Sequence, residues 1–282
     1  MYNNQIIKYD NRQLIKVGNA IAVTNKLLAL GEKLDAEFYF NRGYKKHNSG
    51  NYLGSIMDYT KAVEINPLYV DAHYYRGNSK EKLNDYLGAI EDYTKAIEIN
   101  PKDLFAYYNR GNSKEKLKDY LGVIEDYNKA IEINPQHPSA YYNRGNSKEK
   151  LKDYLGAIED YTKAIEIYPQ FGTSFRSRGS SNFNINNYLK AIEDYTKALE
   201  INKMDAASYC GRGASKHMIS DYLGAIEDFT KAIEIERQIE GIRDELQEAF
   251  FGRSKSKAKI GDFEGSKKDN MISNVYKLRV KI

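Results

Sequence analysis

The chain has 282 residues, 41% of them hydrophobic and 29% charged, with a formal net charge of +4. That is the balance of a folded globular or repeat protein rather than a disordered chain. No apolar run approaches the ~20 residues of a membrane-spanning helix, the first five residues are polar, and Cys210 is the single cysteine, so no internal disulfide can form. These features predict a cytoplasmic protein.

In chain order, residues 1–34 come first and stand apart as an N-terminal capping segment. Residues 19–31, with Ile21, Thr24, Leu27 and Leu28, read as a capping helix. Residues 5–17 carry two short apolar runs around Asp10-Asn11 and read as a small β-hairpin. A helix over 12–31 is the rival reading. An isolated hairpin is marginal in water, so it would dock on the rest of the chain or pair with another copy.

From residue 35 the dipeptide Arg-Gly returns every 34 residues: Arg42-Gly43, Arg76-Gly77, Arg110-Gly111, Arg144-Gly145, Arg178-Gly179 and Arg212-Gly213. A fixed period of this length marks stacked units, none of which can bury its apolar face alone. In one unit, Tyr107 and Gly111 share a helical face with Leu117, and Ala106 lies beside them. Lys118-Asp119 is a break, with Asp119 as N-cap of a second helix. There Tyr120, Val123, Ile124, Tyr127, Ala130 and Ile131 follow amphipathic spacing. Glu125, Asp126, Lys129 and Glu132 are expected on the solvent face. Asn134-Pro135 ends the unit, as Pro67, Pro101 and Pro169 do elsewhere. Six such units fill 35–239.

After the sixth unit the phase slips by seven residues, about two helical turns. The spacing predicts elongated helices turning near Gly241, then a degenerate seventh repeat and basic cap over 240–282, with Ser254, Ser266 and Ser273 at its small-residue positions. Residues 253–282 hold nine basic residues against three acidic ones. Such an end can attract nucleic acid or an acidic partner, the alternative to the reading below.

These residues resemble the tetratricopeptide repeat family: an aromatic (Tyr39, Tyr107, Tyr141, Phe175, Tyr209), a glycine four residues on, then Ala with an aromatic (Ala89 with Tyr93, Ala225 with Phe229), then proline. The resemblance implies an all-α, right-handed superhelical solenoid of helix-turn-helix repeats that acts as a protein-protein interaction scaffold. Where the family has leucine before that glycine this chain has arginine, whose aliphatic stem is expected to cover the core. Lys80, Lys114 and Lys148 stand where the family has tyrosine, and Lys203 replaces a proline.

Nothing in the sequence carries catalysis or a cofactor. The histidines His47, His73, His137 and His217 lack metal-ligand spacing. His73, in the aromatic position, reads as a packed side chain. The recurrent Glu-Asp pairs, Glu91-Asp92 among them, read as a solvated face. Binding residues are sought on the first helices, where one stripe repeats: Tyr74, Asn78, Glu81 and Lys82; Tyr108, Asn112, Glu115 and Lys116; Tyr142, Asn146, Glu149 and Lys150, flanked by Asn109 and Asn143. Asparagine both donates and accepts, so a ladder of them suits an extended peptide backbone, and tyrosine supplies rigid contact area. The predicted partner is a peptide or protein, bound without a cofactor; oligomeric state is left open. Tyr74, Tyr108 and Tyr142 occupy the place of the lysine with which family members clamp chaperone tails, which argues against that specificity. A leucine follows the first tyrosine of each second helix (Leu53, Leu87, Leu121, Leu155, Leu189, Leu223) and is expected to staple neighbouring repeats, an apolar ridge being the other possibility.

Overall fold

The computed structural model describes residues 35–238 and 244–279. The cap at 1–34, with its hairpin and helix, and the turn at Gly241 lie outside the described residues. Fourteen helices make up the described chain, with no strand among them: α1 (Ala36–Asn48), α2 (Tyr52–Ile65), α3 (Val70–Lys82), α4 (Tyr86–Ile99), α5 (Leu104–Lys116), α6 (Tyr120–Ile133), α7 (Pro138–Lys150), α8 (Tyr154–Ile167), α9 (Gly172–Asn184), α10 (Tyr188–Ile201), α11 (Ala206–Met218), α12 (Tyr222–Gln238), α13 (Asp244–Lys259) and α14 (Phe263–Arg279). They fall into two compact units, divided between Ser113 and Lys114. In the first unit α1 to α4 pack each on the next in sequence, and in the second α6 to α14 do. α12 has 17 residues and α13 has 16, against 14 and 13 for their counterparts in the repeat before.

Local chemistry sets the helix limits. The turn inside a repeat places one residue in the left-handed region, for example Lys118 (φ 62°), Lys152 (φ 63°) and Ser220 (φ 67°). The next residue caps the second helix: the carboxylates of Asp85, Asp119, Asp153 and Asp221 accept from the backbone N–H of Gly88, Gly122, Gly156 and Gly224. Glycine leaves room for that cap, since a Cβ on Gly156 would crowd the Asp153 carboxylate; where Lys190 takes the place, Asn187 makes no side-chain cap bond. At the far end Asn66, Asn100, Asn134 and Asn202 each accept from the backbone N–H two residues on. Asn202 does so without a following proline, which is why Lys203 is tolerated.

In each unit the core is built of small residues and rings. Ala62, Ala96, Ala130, Ala164 and Ala232 are fully buried, as are Tyr59, Tyr93, Tyr127 and Tyr161. An aromatic ring of the second helix lies over the Arg-Gly glycine: a Cβ on Gly77 would meet Tyr93 at 2.8 Å, one on Gly145 would meet Tyr161 at 2.8 Å, and one on Gly213 would meet Phe229 at 3.2 Å. In the last repeat the small positions are hydroxyls satisfied locally, Ser254 donating to the Ser266 carbonyl and Ser273 to that of Gln247. Leu117, expected on the packed face of α5, lies past its end and is 43% exposed.

Two expectations need correction. Only half of each Glu-Asp pair is solvated: the glutamates, Glu91 among them, are exposed, whereas Asp92, Asp126, Asp160, Asp194 and Asp228 are buried. Within each unit the arginine before the glycine reaches the aspartate 16 residues on. Arg76 meets Asp92 at 2.6 Å, Arg178 meets Asp194 at 2.6 Å and Arg212 meets Asp228 at 2.7 Å. The lysine at the family's tyrosine position is the second cation, Lys80 to Asp92 at 2.9 Å and Lys148 to Asp160 at 2.9 Å. That lysine also donates to the helix-start carbonyl of Gly88 or Gly156. The guanidinium then reaches back one repeat: Arg76 to Thr60, Arg178 to Thr162, Arg212 to Thr196. It stacks on the aromatic of its own helix, Arg144 over Tyr141 at 5.4 Å. Arginine is therefore a charged clasp between repeats, more than a stem over the core.

The second correction concerns the repeated leucines. Leu87, Leu121, Leu155, Leu189 and Leu223 are 66–70% exposed, so they do not staple neighbouring repeats. The solvated face is carried instead by exposed Lys-Glu pairs three residues apart, such as Lys95–Glu98 and Lys163–Glu166.

Candidate functional site

In the first unit, α3 and α5 place the predicted stripe side by side. Tyr74, Asn78, Tyr108, Asn109 and Asn112 are half-buried, while Lys82 is exposed. The amide of Asn109 donates to the Tyr74 hydroxyl (2.9 Å) and to Asn78 Oδ1 (3.1 Å). The hydroxyl of Tyr93, beneath them, has Asn78 Oδ1 at 2.7 Å and Glu81 Oε2 at 2.9 Å. Burial raises the Tyr74 pKa, against the lowering effect of its bonds to Asn78 and Asn109, so the hydroxyl is neutral at physiological pH. Asn78 and Asn109 are thus held in place by their neighbours.

The second unit repeats the pattern. Lys116 and Lys150 are exposed; Tyr142, Asn143 and Asn146 are half-buried. Tyr161 presents its hydroxyl to Asn146 Oδ1 (2.9 Å) and Glu149 Oε2 (3.0 Å), and Asn143 donates to the Tyr127 hydroxyl (3.1 Å). Tyr142 packs at 5.0 Å from the ring of Phe171.

Past Glu149 the stripe opens into a groove of about 710 Å³, walled by first helices α9, α11 and α13. Sequence reading stopped at Lys150 and missed it, although the signal was there as lost side-chain volume. The tyrosine position (Tyr142) becomes Arg176 and then Cys210; the asparagine position (Asn146) becomes Ser180 and then Ala214; Asn143 becomes Ser177 and then Gly211. Without a side chain at Gly211 and Gly252, the rings of Tyr195 and Phe229 come up against the backbone, each 2.3 Å from where a Cβ would stand. Cys210 lines the groove but is only 8% exposed.

The histidines are structural. His73 is buried, its Nε2 3.0 Å from the Pro67 carbonyl. His47 and His217 each place Nδ1 against a serine hydroxyl, Ser79 at 2.8 Å and Ser256 at 2.9 Å. Both serines are fully buried, out of reach of a substrate. No group of three or more His, Cys, Asp or Glu side chains among the described residues could hold a metal ion. At the basic end Arg253 and Lys257 are spent on Asp269, while Lys255, Lys259, Lys267 and Lys268 are exposed. No helix among the described residues is long and apolar enough to cross a membrane.

Comparison with known proteins places this geometry. Family models described as tetratricopeptide repeat match residues 36–67, 70–103, 105–137, 138–171 and 177–203, more than half of the chain. No curated protein matches the sequence. Among solved structures, MamA is 27% identical over 57% of this chain and 94% of its own, with a TM-score of 0.56. YrrB, a TPR protein with an unusual peptide-binding site, is 22% identical over 64% of this chain and 92% of its own, TM-score 0.57. A tetratricopeptide repeat protein from Parabacteroides merdae is 19% identical over 86% of this chain and 93% of its own, TM-score 0.64. The last two likenesses speak to fold alone.

Proposed function

Since the chain belongs to the tetratricopeptide repeat family, a family of protein-interaction scaffolds, we propose that it holds an extended peptide segment of a partner protein along the stripe of its first helices. In the first unit the stretch is Tyr74, Asn78, Lys82, Tyr108, Asn109 and Asn112. In the second it is Lys116, Tyr142, Asn143, Asn146 and Lys150, leading into the groove.

The observation that carries this reading is the open groove of the second unit, set beside asparagines and tyrosines already locked by hydrogen bonds. Side chains fixed before binding lose little entropy on meeting a ligand, and rigid tyrosines contribute area at low cost. The work is binding rather than catalysis, with no cofactor. Nucleic-acid binding through Lys255, Lys259, Lys267 and Lys268 is the competing class.

Panning a displayed library of random 12-residue peptides against the full chain supplies ligands for the test. Tyr142→Ala combined with Asn146→Ala should weaken the enriched peptides by about tenfold with unchanged circular dichroism, and Glu125→Ala should change little. Unweakened binding in that variant and in Tyr108→Ala with Asn112→Ala would reject the stripe. Peptide affinity should fall only mildly between 50 and 200 mM salt, whereas phosphate contacts would give a fall of orders of magnitude.

A further inference from the structure

Chemistry changes along the groove of the second unit. In its first full repeat the second-helix ring carries a hydroxyl, and Tyr161 uses it on Asn146 and Glu149. Two repeats on, ring and acceptors change together: Phe229 has no hydroxyl, Ala214 stands in place of the asparagine and His217 in place of the glutamate. A polar floor has become an apolar one, with Ala207, Gly211, Ala214, Phe229 and Gly252 around the cavity. No buried donor is orphaned by the change, which is how an apolar surface is made without cost.

The rim is charged but unequal. Arg176 is held by Asp205 at 3.0 Å, and Glu149 accepts from Tyr161 and Ser180. His217 has its pKa lowered, by burial first and then by Lys255 and Lys259, so it is uncharged at neutral pH. Lys255 is exposed, its ammonium 4.2 Å above the ring of Phe251. Glu248, the acid of the same wall, lies seven residues earlier on α13, about 10 Å along the helix. The cationic end of the groove is therefore the Lys255 end.

We infer that this groove is a socket for one large apolar side chain of the partner peptide, with an acidic residue one or two positions away meeting Lys255. The inference rests on the peptide-holding reading above and specifies its ligand. An apolar side chain set against Phe229 and Ala214 displaces water from carbon surface, and the adjacent carboxylate sets register and direction along the wall.

The enriched 12-residue peptides test it by fluorescence polarisation. They should share a Leu, Ile, Met, Phe or Trp next to or one residue from Asp or Glu. Replacing that apolar residue by Ala should cost about tenfold, and Ala214→Phe, which fills the socket, should abolish the difference. Lys255→Glu, an exposed change that leaves the fold alone, should weaken the acidic peptides by about fivefold and favour versions carrying Lys at the acid position. Enriched peptides without this pairing, or unaffected by both Ala214→Phe and Lys255→Glu, would overturn the socket. If they still lose affinity with Tyr142→Ala and Asn146→Ala, the stripe stands alone. A library that enriches nothing rejects both.

Discussion

Asp92 shows how one side chain holds a repeat. Burial works to raise its pKa, but His73, Arg76 and Lys80 outweigh that and hold the carboxyl at about 2. Because the folded pKa lies below the unfolded value of about 3.9, the ionised form stabilises the fold. That contribution is complete above the unfolded pKa and is lost as pH falls from about 4 toward 2. Asp92→Asn should cost about 3–5 kcal/mol at pH 7, since it leaves two cations facing a buried neutral amide. Its deficit should shrink only below pH 4, and denaturant melts of both proteins from pH 7 to 2.5 read this directly. A second residue-scale prediction follows from the left-handed turn. Lys152 holds φ 63°, a strain glycine relieves, so Lys152→Gly should raise stability by about 1 kcal/mol. The clasp was legible as an interval, every arginine of the Arg-Gly series having an aspartate 16 positions on. It escaped notice because a Glu-Asp pair on an amphipathic helix looks solvated until its partner is known.

At the scale of the element, helix limits were readable from caps, breaks and prolines, because those signals act within four residues. Helix surroundings were less readable. The repeated leucines look like packing residues by type, yet they occupy the first turn of each second helix, where the chain has just left the core. The Arg-Gly glycine, by contrast, announced a close approach, and the ring above it is the reason. Gly145→Leu would drive a side chain into Tyr161 and should cost a few kcal/mol, the usual penalty for overpacking. Gly50→Leu is a control for the substitution itself, since a Cβ there meets nothing within 4 Å, and it should lose only the cost of its φ of 79°. Matched thermal melts distinguish the two.

For the whole molecule, the period of 34 residues disclosed the family and therefore the class of work. It could not disclose the groove. Repetition draws attention to what recurs, Tyr142, Asn146 and their equivalents, whereas the groove arises where the recurrence lapses, at Cys210, Gly211, Ala214 and Phe229. Specificity in a repeat scaffold is written in such departures, since identical repeats present identical surfaces. The exposed leucines, Leu155 among them, are rival apolar positions that composition alone would rank equally. A photo-crosslinking amino acid placed either at Met218, on the groove rim, or at Leu155, followed by irradiation with a library-enriched peptide and mass spectrometry, separates the two. The account predicts a peptide adduct from position 218 that unlabelled peptide competes away, and none from position 155. An adduct from position 155 with none from position 218 would contradict it.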